Sequence, residues 1–229
     1  MKALQYLIDL FYPRLCLACG RKLLRHEFVL CSYCQVKLPK TRFHHRRDNP
    51  VEVLFWGRCK IEYGAAFYKY LKGGNVQELI HNFKYKGFQE IGLFVGEKYG
   101  EELMQTKVFS NIDYIIPVPL HPKKMRIRGF NQSEVFGRGL ASSMSAELEV
   151  GNLHRIVHSD TQTRKSRWDR YKNVASIFGI SDAQKLKGKH ILLVDDVITT
   201  GSTIEACVVK LQEVEDIKIS VVAMATAAH

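Results

Sequence analysis

The chain has 229 residues, 46% apolar and 25% charged, enough for one well-buried α/β domain plus a small appendage. No apolar run approaches the roughly 20 residues of a membrane helix, and Ala3–Phe11 carries Asp9 and lacks a small-residue cleavage site, so it does not read as a signal peptide, and a cytoplasmic protein without a membrane span is expected. The net charge is +11, and residues 1–60, with 12 Lys/Arg against 4 Asp/Glu, hold +8 of it; both a surface that meets a polyanion such as nucleic acid and a merely solvated basic face would account for that excess.

Residues 1–13 read as a short amphipathic helix closed by Pro13. Two cysteine pairs follow, Cys16-x-x-Cys19 and Cys31-x-x-Cys34, with 11 residues between them. Four thiolates at this spacing can enclose a tetrahedral zinc ion, each pair presenting two sulfurs. Gly20, directly after Cys19, suits the tight turn such a knuckle needs. So small a region buries little core, so the metal would supply its folding energy in a structural role. A redox dithiol and unliganded core cysteines are the other readings of the same spacing. Cys59 and Cys207 read as ordinary buried residues. The stretch 39–50, PKTRFHHRRDNP, is polar, basic and flanked by prolines, and reads as a linker or exposed arm. Its His44-His45 pair has no partner at helical or turn spacing.

A new unit begins near residue 53. Tyr63–Leu71 is rich in aromatics and reads as a strand, and Gly73-Gly74 then punctuates the chain. Val76, Leu79, Ile80 and Phe83 fall on one face of a helix over Asn75–Tyr85, and a second helix follows over about Glu90–Gln105. Ile112–Val118 is a short apolar strand of the kind buried on both faces. Leu120–Phe130 reads as a basic loop, Gln132–Glu147 as a helix, Leu153–Val157 as a strand and Ser159–Lys172 as another basic loop. Ile191–Val194 is a second buried strand, followed by a loop and a helix over Ser202–Glu213; Ile217–Ala225 is the last strand. Alternating strands and helices imply an α/β fold, a mostly parallel sheet flanked by helices. The division expected is 1–52, holding the helix, the cysteine module and the basic linker, and 53–229, the α/β domain.

The most informative segment is HILLVDDVITTGST, His190–Thr203. Ligands of parallel sheets sit beyond the carboxyl ends of strands. Here such an end runs into a helix N-terminus, whose free N–H groups and dipole favour an anion. Gly201 lets the backbone approach a phosphate, and Thr199, Thr200, Ser202 and Thr203 add hydroxyl donors. Asp195 and Asp196 would repel the phosphate but suit a neighbouring diol, as a ribose offers. Neither a Gly-x-x-x-x-Gly-Lys loop nor a Gly-x-Gly-x-x-Gly turn is present in it. The segment resembles the signature that binds 5-phosphoribosyl-1-pyrophosphate (PRPP) in type I phosphoribosyltransferases. That resemblance implies the type I fold, with Asp195 and Asp196 on the ribose hydroxyls and Thr199, Thr200, Gly201, Ser202 and Thr203 on the 5′-phosphate.

Pyrophosphate, the leaving group of PRPP, needs cations and backbone donors. Lys123, Lys124, Arg126 and Arg128, in a loop expected at the same sheet edge, can supply them. Arg164, Lys165 and Arg167 belong to a second candidate, a mobile loop that closes over the ligand. Simple solvated loops would look the same. Pro117–Pro122 followed by Arg128–Gln132 (RGFNQ), together with Thr161, Gln162, Arg170, Asn173 and Phe178, resembles the ComF family of competence proteins. The likeness spans Pro13 to Ala225 and is weakest over 37–60. It implies a zinc module on Cys16, Cys19, Cys31 and Cys34 joined to a phosphoribosyltransferase-like domain.

Two functions follow from the resemblance. One is a transferase that moves phosphoribose from PRPP, with Mg²⁺, to an acceptor the sequence does not name; residues 53–90 are the candidate hood over that acceptor, and no catalytic base is legible. The other is a protein that keeps the PRPP site but handles single-stranded DNA, alongside the DNA-uptake machinery, during natural transformation. For stacking bases, the aromatics near the module are Phe43, Phe55 and Trp56. His81 and His121 could lie near the cleft, although a solvated or hydrogen-bonded side chain is the plainer reading of each. The oligomeric state is not legible.

Overall fold

The computed structural model describes residues 13–156 and 177–228. The expected helix over 1–13 therefore lies outside the described residues apart from Pro13, and so does the whole second basic loop with Arg164, Lys165 and Arg167. The strands are β1 (Gly64–Lys69), β2 (Tyr114–Pro117), β3 (Glu147–Leu148), β4 (Leu153–Arg155), β5 (Phe178–Ile180), β6 (His190–Ile198) and β7 (Lys218–Thr226). Five of them form one parallel sheet in the order β1-β7-β6-β2-β3. Leu192 of β6 is in register with Ile115 of β2 on one side and Ser220 of β7 on the other. Ile191, Leu192, Leu193 and Val194 are fully buried, which is why this run lacks polar alternation.

The helices are α1 (Ser32–Lys37), α2 (Pro50–Val53), α3 (Asn75–Tyr85), α4 (Glu90–Leu103), α5 (Pro122–Arg128), α6 (Gln132–Ser143), α7 (Ala183–Leu186) and α8 (Ser202–Leu211). The apolar face expected for α3 is the buried one: Val76, Leu79, Ile80 and Phe83 are all in the core. The chain leaves β2 toward β3 on one side of the sheet and leaves β6 toward β7 on the other. Strand order therefore reverses between β2 and β6, and a crevice opens at their carboxyl ends, where open α/β sheets bind ligands.

Four expectations need correction. The basic loop 120–130 contains α5. Pro122 opens it, the His121 Nδ1 caps it by accepting from the Lys123 amide at 3.1 Å, and Gly129, at φ 78°, closes it. The proline-in, glycine-out signal was present in the sequence, but the charge of the segment outweighed it. The helix expected to reach Glu147 stops at Ser143, because Glu147–Leu148 pairs with β2. Leu153–Arg155 is a strand outside the main sheet, antiparallel to Phe178–Ile180.

The segment 39–50 is no exposed arm. β1 is an edge strand, and this segment satisfies its outer groups: the Thr41 amide donates to the Phe67 carbonyl at 2.9 Å, and the Lys69 amide donates to Pro39 at 2.8 Å. Asn49 is fully buried; its Oδ1 caps α2, and its Nδ2 donates to the Gly64 carbonyl at 2.8 Å. His44 is buried edge-on against Tyr99, ring centroids 5.5 Å apart. Burial, with His45 beside it, pushes its pKa down to about 4. Within the candidate hood 53–90, β1 is the sheet edge, and α3, with Tyr70 just after β1, reaches the crevice.

Helices α4 and α6 cross at backbone contact. Gly92, Gly96 and Gly100 lie on α4, one turn apart, facing α6; a Cβ on Gly96 would collide with the Phe136 carbonyl, and one on Gly139 with the Leu93 carbonyl. Neither obstacle is a flexible side-chain tip, so the helices themselves must separate. Gly96→Ala is expected to cost about 2 kcal/mol or more, seen as a lower urea midpoint; an unchanged midpoint would mean the helices part freely.

Candidate functional site

A cavity of about 730 Å³ occupies the crevice. Its floor is the carboxyl end of β6, with Asp195, Asp196, Thr199 and Thr203. One wall is the segment after β2, with Val118, Pro119, Leu120, His121, Lys124 and Arg128; another is α3, with Gln77, His81, Lys84 and Tyr85. His81 and His121 thus both reach the cleft. Beside it, residues 197–204 enclose a smaller hollow of about 40 Å³.

That hollow is the turn read as a phosphate loop. Gly201 adopts φ 73° at the N-cap of α8, a conformation that favours glycine, and Thr199, Thr200, Ser202 and Thr203 are exposed around it. The free amides of the first turn of α8 and its dipole suit an anion. β6 does not end at Val194: it runs on to Ile198, so the two acids are strand residues, held by the sheet and not by a loop.

Alternation along β6 sends the two carboxylates to different neighbours. Asp195 Oδ1 accepts from the Ser133 hydroxyl at 2.8 Å and from the Asp196 amide at 2.8 Å. Burial, and then the charge of Asp196, push its pKa above the usual carboxylate range. Asp196 Oδ1 is 2.8 Å from Lys84 Nζ, and its Oδ2 is 3.7 Å from Arg128 Nη1. Both cations are largely enclosed, with side chains 16% and 10% exposed. Arg128 also donates to Gln132 Oε1 at 2.8 Å.

Of the four cations expected for pyrophosphate, Lys124 and Arg128 line the cleft, whereas Lys123 and Arg126 are not among its lining residues. Lys84 and Arg155 line it instead. Sequence reasoning missed both. Lys84 lies on the polar side of an amphipathic helix, and Arg155 ends a short strand; no local motif marks either.

The four cysteine sulfurs lie within 4.8 Å of one another, and Cys19 Sγ is 3.7 Å from Cys31 Sγ. Tetrahedral zinc–thiolate bonds near 2.3 Å put sulfurs at about this separation. The first knuckle turns through Gly20 at φ 72°; in the second, Cys31 precedes α1 and Cys34 lies on it. Burial pushes Cys31 and Cys34 up, and the Cys34 thiol is opposed further by its sulfur neighbours. Crowded buried thiols that resist ionising become thiolates when a cation sits between them. The donor set therefore fits a metal ion. Glu27 ties the intervening loop, accepting from the Ser32 hydroxyl and the Leu24 and Ser32 amides, and these bonds hold its carboxyl down at about 2.

Comparison with known proteins places this geometry. Residues 133–228, which include both acids and the turn, match the model of the phosphoribosyl transferase domain. Competence protein F of Haemophilus influenzae is 28% identical over 211 residues, 85% of this chain and 89% of that one. Over most of its length the chain is thus similar to proteins named for competence and DNA utilization. The DNA utilization protein YhgH of Salmonella typhi is 29% identical over 129 residues, 55% of this chain, and the matched region spans only 56% of that protein. Among solved structures, an adenine phosphoribosyltransferase is similar at 13% identity and a TM-score of 0.39, covering 78% of this chain and 89% of that one.

Two of the three aromatics considered for stacking are core residues: Phe43 is 8% exposed and Phe55 1%, while Trp56 is open to solvent. Phe28 and Tyr33 on the cysteine module are exposed and were overlooked. Cys207 is buried as expected; Cys59 is half-buried, with its thiol pushed up to about 11 by burial. Among the described residues no helix is long and apolar enough to cross a membrane.

The Lys84–Asp196 pair should be a strong stabiliser of the cleft floor. Lys84→Met leaves an enclosed carboxylate short of its nearer cation and is expected to cost about 3 kcal/mol. In urea titrations the Lys84→Met, Asp196→Asn double variant should lose clearly less than the two single losses added together; strict additivity would show that the pair does not act as one unit.

Proposed function

We propose that the cleft binds PRPP, and that the chain is built to break the bond between ribose C1 and pyrophosphate and form one from C1 to an acceptor. The supporting observation is the placing of two acids beside an anion-binding helix N-terminus, faced by Lys124 and Arg128 across the point where strand order reverses. In this reading Asp195 and Asp196 receive the ribose hydroxyls, and Thr199, Thr200, Gly201, Ser202 and Thr203 receive the 5′-phosphate. Lys124 and Arg128 serve the leaving pyrophosphate, joined by Lys84 and Arg155. Mg²⁺ bound with the ligand would neutralise pyrophosphate charge. Arg164, Lys165 and Arg167 would close over the ligand and exclude water. α3, within the hood 53–90, would face the acceptor. Cys16, Cys19, Cys31 and Cys34 would hold a structural zinc. The Asp195→Asn, Asp196→Asn double variant should bind PRPP with Mg²⁺ about a hundredfold more weakly by calorimetry; equal affinity would remove the sugar role.

A second reading, handling of single-stranded DNA, is favoured by the surface of the cysteine module. Arg14 lies 5.7 Å from the centroid of the exposed Phe28 ring, and Arg21 lies 4.4 Å from that of Tyr33. Paired cations and aromatic faces suit a charged backbone with stacked bases, and the relatives are named for competence and DNA utilization. Binding of an oligothymidine should weaken steeply as salt rises, and Phe28→Ala with Tyr33→Ala should weaken it at any one salt concentration. A flat salt response, or no binding at low salt, would exclude this partner.

A further inference from the structure

The turn after α2 runs directly beneath the phosphate loop, far from it in sequence. Phe55 is buried there, and a Cβ on Gly201 would come within 3.0 Å of its ring. Arg58, three residues on, reaches the loop itself. Its Nη1 donates to the Thr200 carbonyl at 2.8 Å and to the Leu54 carbonyl at 2.9 Å. Its Nη2 lies 3.5 Å from the Ser202 hydroxyl and forms an ion pair with Glu205. One guanidinium thus holds its own turn, the backbone of the loop and the first turn of α8 together.

Two consequences follow for an anion. The peptide joining Thr200 to Gly201 is planar, so its carbonyl and N–H point in opposite directions. Fixing the Thr200 carbonyl toward Arg58 aims the Gly201 N–H to the opposite side. Glu205 is the acid of the first turn of α8, and its amide donates to the Gly201 carbonyl at 2.8 Å. An acid there complements an empty helix N-terminus but repels a phosphate docked at it. Arg58 cancels that repulsion.

We propose that Arg58 is a positioning residue of the anion site: it orients the Thr200–Gly201 peptide and neutralises Glu205, and so sets the affinity for the 5′-phosphate of the ligand. The proposal rests on the phosphoribosyl reading of the cleft. It assigns a functional role to a residue outside residues 133–228, the part that matches the domain model.

The test is calorimetry on the full chain with three probes: PRPP with Mg²⁺, ribose 5-phosphate, and pyrophosphate with Mg²⁺. Arg58→Ala should weaken PRPP and ribose 5-phosphate by about tenfold or more and leave pyrophosphate little changed. Glu205→Gln alone should bind the two sugar phosphates as well as the wild type or better. Added to Arg58→Ala it should recover part of the loss, because the unpaired acid is gone; Arg58→Lys should recover the charge effect but not the geometry of the carbonyl contact. Thermal midpoints of all four variants separate folding from binding. If wild type ignores PRPP and ribose 5-phosphate, the phosphoribosyl reading fails and this role with it. If wild type binds both and Arg58→Ala binds equally well, or if all three probes weaken in parallel, the role of Arg58 alone is refuted.

Discussion

Two neighbouring carboxylates at the end of a buried strand are expensive, and the surrounding structure is arranged to hold them. Burial, and then the charge of Asp196 beside it, raise the cost of ionising Asp195, which pushes it toward its protonated form. The Ser133 hydroxyl and the Asp196 amide support Asp195, and Lys84 and Arg128 compensate Asp196. Those partners come from α6, α3 and α5, so the acids draw three helices to one end of the sheet. The cleft is what remains between them. Its cations are therefore partly committed to the acids, and a ligand that brings hydroxyl donors and anionic oxygens together can engage both.

The N-terminal part of the chain is tied to this arrangement along its length. Asn82 of α3 donates to the Leu17 carbonyl in the first cysteine knuckle at 2.8 Å. Residues 39–41 back the edge strand, Asn49 joins α2 to the start of that strand, and the turn at 54–58 ends against the phosphate loop. The basic segment is thus a strap over the sheet edge. A sheet edge left bare offers unpaired backbone groups to any other chain; here they are satisfied by the chain itself, and the same strap reaches the anion site.

Much of the fold is legible from local pattern, because burial on both faces demands continuous apolar runs and burial on one helix face demands a 3.6-residue period. Ile191–Val194, Ile219–Ala225 and the Val76–Phe83 stripe all obey those rules and all lie in the core. The turn at 199–203 is equally local: a glycine and four hydroxylated residues before a helix can be recognised wherever the chain goes. The spacing of Cys16, Cys19, Cys31 and Cys34 likewise determines that four sulfurs can meet, since each knuckle is a short-range structure and only one loop must close.

What the pattern of residues could not decide is who faces whom. Lys84 meets Asp196, and Arg58 meets Thr200 and Glu205, across separations of more than a hundred residues. Nothing in the immediate surroundings of a lysine or an arginine records the sheet order that brings it to an acid. The same is true of the 39–50 segment, whose polar composition reads as exposure until the edge strand it covers is known. Periodicity, caps and knuckles are short-range and depend on neighbours along the chain. Charge compensation and edge protection depend on neighbours in space, and only the packed sheet supplies those.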